Sequence, residues 1–145
     1  MNFALQEKEC AQVISKKLSV PLIIHKMNFD NYYKYFQVVF LTKSKCSQFI
    51  SNNNSIFYLD CDKISGKAVL RSRAAGDKIT LKKRRCTKTL KKLFNELSVA
   101  PEKRDSIMVL ADESGILFAE GIGVDARAEL SSDTDQILKI EIIRL

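Results

Sequence analysis

Five features of this chain carry residue types that could make or break bonds: Asp60 with Asp62, His25, the Ser65-Gly66-Lys67-Ala68 run, the Gly121-Ile122-Gly123 pair and four cysteines. Each falls short of a site. Asp60 and Asp62 would share a face if a strand continued through them, as a general acid and base require, but Asp-Cys-Asp-Lys ahead of Gly66 reads as a turn. His25 lies in an apolar run with no cysteine or serine in a motif beside it, and reads as structural. A phosphate loop needs a hydroxyl after its lysine to hold magnesium and a glycine ahead of the run, where this chain has Ala68 and Cys61. The two glycines at 121 and 123 lack the rest of a dinucleotide fingerprint and suit a bend or bulge. The cysteines, spaced C-x35-C-x14-C-x24-C with one histidine in the whole chain, suggest neither a zinc site nor a redox pair. No catalytic residue, metal ligand or cofactor is assigned to this chain, which is expected to be a reduced cytoplasmic protein.

One stretch survives the same weighing. Eleven basic residues stand against a single acid, Asp77, between Lys67 and Lys92, a local net charge of +10 in a chain whose total is +7. The remainder is therefore net negative, at −3. Charge that only kept a protein soluble would intersperse its signs, so this asymmetry points to an anionic partner such as nucleic acid. Lys88, Lys91 and Lys92 fall at i, i+3, i+4 near the expected start of a helix, where the macrodipole disfavours each cation by ~0.3–1 kcal/mol. An external phosphate would reverse that sign. The loop Lys82-Lys83-Arg84-Arg85 would extend the surface, and Arg71 with Arg73, on one strand face, would give it a second edge. Tyr32, Tyr33, Tyr35 and Phe36 have rings that could stack on bases, yet they lie outside the basic stretch and suit cross-strand packing.

The elements that must position these residues are mostly strands. At 145 residues and 46% hydrophobic composition the chain makes one domain with a sizeable core, and no apolar run is long enough to span a membrane. Strands are expected at Lys16–Val20, Leu22–His25, Tyr35–Leu41, Ile56–Leu59, Ala68–Arg73 and Lys78–Leu81; residues before Ile14 read as a short helix or an arm. Leu90, Leu93, Phe94 and Leu97 form one apolar helix stripe, with Thr87 as N-cap and Pro101 beyond its end. Ile107–Ala111 and Ile116–Glu120 form a hairpin around Asp112 to Gly115, and Leu138, Ile140 and Ile142 alternate in a last strand. The class is α+β, a strand-rich mixed sheet or sandwich with few helices.

The order of residues is more specific than the composition. Leu70-Arg71-Ser72-Arg73-Ala74-Ala75-Gly76-Asp77-Lys78-Ile79, Lys88-Thr89-Leu90-Lys91-Lys92-Leu93-Phe94 and Pro101-Glu102-Lys103-Arg104-Asp105 resemble the C-terminal region of bacterial tRNA(Ile)-lysidine synthase. Leu59 to Ile64 and Gly115 to Val124 follow the same pattern, and Lys17-Leu18-Ser19-Val20-Pro21 resembles, more weakly, the start of that region. The chain then divides into a strand-rich part, 1–57, and the synthase C-terminal-like part, 58–145, together one compact unit. The loop after Ile79, which lacks the family's Pro and Gly and is unusually basic, and Met108, where the family has proline, depart from the pattern.

The resemblance implies a fold similar to a domain of the phenylalanyl-tRNA synthetase β subunit. It also implies a whole enzyme that uses ATP, with magnesium, to adenylate the wobble cytidine of an isoleucine tRNA and then join lysine to it. The family's catalytic N-terminal domain carries a Ser-Gly-Gly-x-Asp-Ser loop, which this chain does not contain. What matches is implied to grip the tRNA(Ile) body, above all the acceptor stem, beside that catalytic domain. Phosphate contacts fall to Arg71, Arg73, Lys78, Lys82, Lys83, Arg84, Arg85, Lys88, Lys91 and Lys92, with Arg104 divided between RNA and structure. Gly76 is expected to permit a turn, and Asp77 and Asp105 to orient neighbouring arginines or cap backbone N–H groups. The competing reading is a freestanding basic protein that meets RNA, a ribosome or an acidic protein.

Overall fold

Period-two apolar patterning sets the pairings at the centre of the molecule, whose computed structural model describes residues 11–14, 22–27, 33–42 and 56–144. The strands are β1 (Ala11–Ile14), β2 (Leu22–Met27), β3 (Tyr33–Thr42), β4 (Ile56–Asp60), β5 (Ala68–Ser72), β6 (Lys78–Leu81), β7 (Cys86–Thr89), β8 (Met108–Asp112), β9 (Gly115–Ala119), β10 (Gly123–Val124) and β11 (Gln136–Arg144). Two short helices, α1 (Leu90–Glu96) and α2 (Pro101–Arg104), lie between β7 and β8. All described pairings are antiparallel: a sheet β2-β3-β11-β4, a sheet β1-β5-β8-β9-β10 and the hairpin β6-β7.

Alternation along β11 sends Leu138, Ile140 and Ile142 to one face, where they join Phe36, Val38, Phe57 and Leu59. This face packs on Leu70, Leu110, Leu117 and Phe118 of the five-stranded sheet, with the Phe57 and Phe118 rings 4.6 Å apart. A bulge in the β8–β9 pairing lets Leu117 and Phe118, adjacent in sequence, both enter this core. Each such side chain contributes ~1.5–3 kcal/mol by leaving water. The opposite face of the five-stranded sheet carries Val109, Ala111, Ile116 and Ala119, and a third layer covers it: Ile79 from β6 with Leu90, Leu93 and Phe94 from α1. The result is an α+β sandwich with one added layer, and that layer holds the basic stretch.

Three expectations need correction. The N-cap of α1 is Thr89, whose Oγ1 accepts from the Lys92 N–H at 3.2 Å. Thr87 instead stands opposite Thr80 in the hairpin, because the chain stays extended for two residues longer than the apolar stripe suggests. Leu97 does not point inward: α1 ends at Glu96, Ser98 takes a positive φ of 55°, and Leu97 is left 48% exposed. Ala11–Ile14, read as helix or arm, is a strand paired with β5. The expected strand at 16–20 and Tyr32 lie outside the described residues. Strands from both sides of position 57 share sheets, β1 with β5 and β3 with β11.

Candidate nucleic-acid interface

Strand β5 alternates so that Leu70 enters the core while Arg71, opposite Val109, faces the third layer. After the strand the chain turns through Gly76, whose φ of +86° favours glycine, and Asp77 closes the turn with its N–H on the Ala74 carbonyl. The Asp77 carboxylate accepts from the Ala74 N–H at 2.8 Å and from both terminal nitrogens of Arg71 at 2.9 Å. Partial burial works to raise the Asp77 pKa, but the Arg71 hydrogen bonds, the Ala74 N–H and the charges of Arg71 and Arg73 outweigh it and hold the carboxyl below its usual range. The Arg71 guanidinium, raised in turn by its bond to Asp77, is committed to this fork.

Beyond the turn, β6 and β7 form a hairpin with its Ile79 side against the core. Its tip is Lys82-Lys83-Arg84-Arg85, where the N–H groups of Arg84 and Arg85 both donate to the Leu81 carbonyl. Arg85 closes the loop at φ +51°, a conformation that costs a non-glycine residue on the order of 1–3 kcal/mol. Lys88 lies on β7 rather than on the helix face expected of it. Its ammonium and the Arg84 guanidinium both meet the carboxylate of Glu96, at 2.5 and 2.6 Å. The bond from Lys88, then that from Arg84, lowers the Glu96 pKa.

Lys78, Lys82, Lys83, Arg85, Lys91 and Lys92 are all exposed and make no ion pair with any described residue. They come from β6, the hairpin tip and, beyond β7, the first turn of α1, all within residues 78–92. Arg73 and Arg104 are different. Their guanidinium carbons lie 5.6 and 5.7 Å from the centre of the buried Phe94 ring. Arg73 also approaches Asp105 at 3.5 Å, and Arg104 donates to the Val99 carbonyl and to Asn95.

Two participants were missed from sequence. Glu96 lies four residues beyond the counted stretch, and its partners Arg84 and Lys88 stand twelve and eight residues before it, a separation that no local spacing in the sequence signals. Arg127 forks onto Asp112 at 2.7 and 3.0 Å, and with Arg71 and Lys78 it lines a groove of about 540 Å³. Burial would raise the Asp112 pKa, yet the Arg127 bonds and the Ser65 and Ser114 N–H groups lower it overall. The carboxylates judged turn formers serve turns: Asp60 accepts from the Asp62 N–H at 3.0 Å and from the Thr134 hydroxyl at 2.8 Å. Among the described residues no group of three or more His, Cys, Asp or Glu could hold a metal, and no helix is long and apolar enough to cross a membrane.

A family model described as the TilS substrate C-terminal domain matches residues 68–142, more than half of the chain and the whole of the hairpin and α1. The chain belongs to the TilS substrate C-terminal domain family. The tRNA(Ile)-lysidine synthase of Clostridioides difficile is 32% identical over 93 residues, 64% of this chain and 20% of that protein. That of Caldanaerobacter subterraneus is 33% identical over 86 residues, 59% of this chain and 18% of that protein. A bifunctional protein TilS/HprT of Listeria monocytogenes is 31% identical over 81 residues, covering 55% of this chain and 12% of its own length. The chain thus spans about a fifth or less of the curated relatives it matches. A crystal structure of a TilS C-terminal domain shares the fold, with a TM-score of 0.70 at 21% identity over 93% of this chain and 98% of that one. Membership of the TilS C-terminal family accounts for the sandwich.

Proposed function

We propose that this chain is the tRNA-gripping C-terminal module of a tRNA(Ile)-lysidine synthase, and that its third layer lies against the acceptor stem of tRNA(Ile). The observation that carries the reading is the set of six exposed cations without ion pairs on β6, the hairpin tip and α1, inside the length that matches the family. A-form RNA offers phosphates and 2′-hydroxyls rather than a readable major groove, so fixed lysines and arginines recognise a stem by shape. In the whole enzyme the module works beside a catalytic domain that uses ATP with magnesium to adenylate the wobble cytidine and ligate lysine to it, in the cytoplasm.

Filter binding of the full chain to tRNA(Ile) across a salt series tests this. Engagement of four to six phosphates gives a log–log slope of roughly −3.6 to −5.4. A flat response, or equal affinity for an acidic protein, would return the layer to a solvated surface or to a protein partner. Incubation of the chain with ATP, lysine and the tRNA should form no lysidine.

A further inference from the structure

Between the turn at Ala74–Gly76 and the start of α1 lies a second cavity, of about 310 Å³, lined by Arg73, Ala74, Ala75, Leu90, Lys91 and Arg104 among others. Its two guanidiniums are held by packing. Both rest on Phe94, and Arg104 is fixed further through the Val99 carbonyl and Asn95. The carboxylate beside Arg73, on Asp105, is 92% exposed and stands at 3.5 Å, and the Arg73 Nε is buried with no hydrogen-bond acceptor. Arg73 is therefore a fixed cation whose donors are poorly matched within the protein. The same cavity is lined by the exposed Ala74 and Ala75, by the buried Leu90, by the exposed Lys91 and by Asp77, whose carboxylate is already taken by Arg71.

Guanidinium planes, an apolar wall and an ammonium together suit one chemical class. A nucleobase stacks on guanidinium planes and packs its edge on carbon, while its phosphate takes the ammonium. An inorganic phosphate would leave the apolar wall unused, and an apolar ligand would leave the cations unmatched. At the lower end of ligand-pocket sizes the cavity has room for one nucleotide and excludes a base pair within a helix.

We propose that this cavity takes a single unpaired nucleotide adjoining an RNA stem that lies on the exposed cations. It rests on the reading above that those cations meet RNA, and adds a site that counts unpaired bases where the rest of the surface reads only shape.

The test compares two short A-form duplexes bound by the full chain, one blunt and one with a single-nucleotide overhang. The overhang should tighten binding roughly tenfold, the weight of one stacked base. Ala75→Trp, on the exposed turn, fills the cavity, and Arg73→Gln removes one stacking plane. Each should erase the overhang advantage while circular dichroism stays that of the parent, and Ala75→Trp should leave blunt-duplex affinity unchanged. An excess of adenosine monophosphate should leave the advantage in place; its disappearance would assign the cavity to a free nucleotide and overturn the proposal. Equal binding of the two duplexes by the parent chain also overturns it, with the stem reading intact. Failure to bind either duplex overturns both.

Discussion

Cations in two parts of this molecule sit under opposite regimes. At the turns flanking β6 and β8, Arg71 forks onto Asp77 and Arg127 onto Asp112; Asp77 also accepts the Ala74 N–H, and Asp112 those of Ser65, Ser114 and Gly115. At the hairpin tip and the first turn of α1, Lys82, Lys83, Arg85, Lys91 and Lys92 face outward with no ion pair to any described residue. A local charge of +10 counts Arg71 and the free cations alike. What distinguishes a cation that builds the fold from one left for a partner is whether a carboxylate closes its hydrogen bonds, and the two classes should respond differently to substitution.

The largest effect should come from the apolar support beneath both. Leu93, 1% exposed, packs among Leu90, Phe94 and Val109, so Leu93→Ala should cost roughly 2–5 kcal/mol by leaving a cavity. Chemical denaturation measures the loss, and tRNA affinity in the folded fraction should be unchanged.

Next comes the matched region. The Asp112 side chain is fully buried and accepts from Ser65, Ser114, Gly115 and Arg127, so Asp112→Ala strands several donors. Because Arg127 keeps about a third of its exposure, the expected cost is ~2–3 kcal/mol, below that of breaking a fully buried pair. The salt slope of tRNA binding should not move. The folded pKa values of Asp77 and Asp112 lie below their unfolded ones, so their stabilisation is present above the unfolded value near ~3.9 and is lost as pH falls through the folded values. Denaturation midpoints measured from pH ~6 down to pH ~3 should fall, and Asp112→Asn should flatten that fall. A midpoint indifferent to pH would dissolve the contrast between the regions.

Much of this fold was legible because its signals are local. Leu90, Leu93 and Phe94 mark α1, and Leu138, Ile140 and Ile142 mark β11, since in each case the residues that alternate also share a core. The strand β7 was not legible. Cys86-Thr87-Lys88-Thr89 has no apolar alternation and ends in a residue type that also caps helices, so the extended run was absorbed into the helix start. That one shift moved Lys88 off the helix and onto Glu96. The match of Arg127, in a 3-10 turn at Ala126–Ala128, to Asp112 is fifteen residues long, a separation that no period in the sequence encodes. Of the cations named from sequence, Lys82, Lys83, Arg85, Lys91 and Lys92 stand free because exposure follows from the same stripe that fixes α1 and from the tip of a hairpin.

Changing three of the free cations should have a smaller effect on stability and a larger one on RNA. Arg85→Gly with Lys91→Gln and Lys92→Gln removes three positive charges from exposed positions, where substitutions seldom exceed ~0.5 kcal/mol, and the glycine relieves the positive φ at 85. The salt slope should shrink by up to ~2.7. Parent-like binding by this variant would place the RNA elsewhere.

The smallest and sharpest test sits between the two regions, at Glu96. Its carboxylate takes Arg84 and Lys88, yet it is exposed, so the pairing is screened by salt and open to exchange. A phosphate offers the same two cations the same kind of oxygens with more charge. Glu96→Gln leaves both cations unneutralised without creating a cavity, so folding should be unaffected while tRNA binding tightens severalfold at low salt. Its log–log slope should steepen by up to ~1.8, one counterion for each cation released to RNA. If the slope is that of the parent, Arg84 and Lys88 belong with Arg71 and Arg127 among the cations that serve the fold. The interface then narrows to the free residues of β6, the hairpin tip and α1.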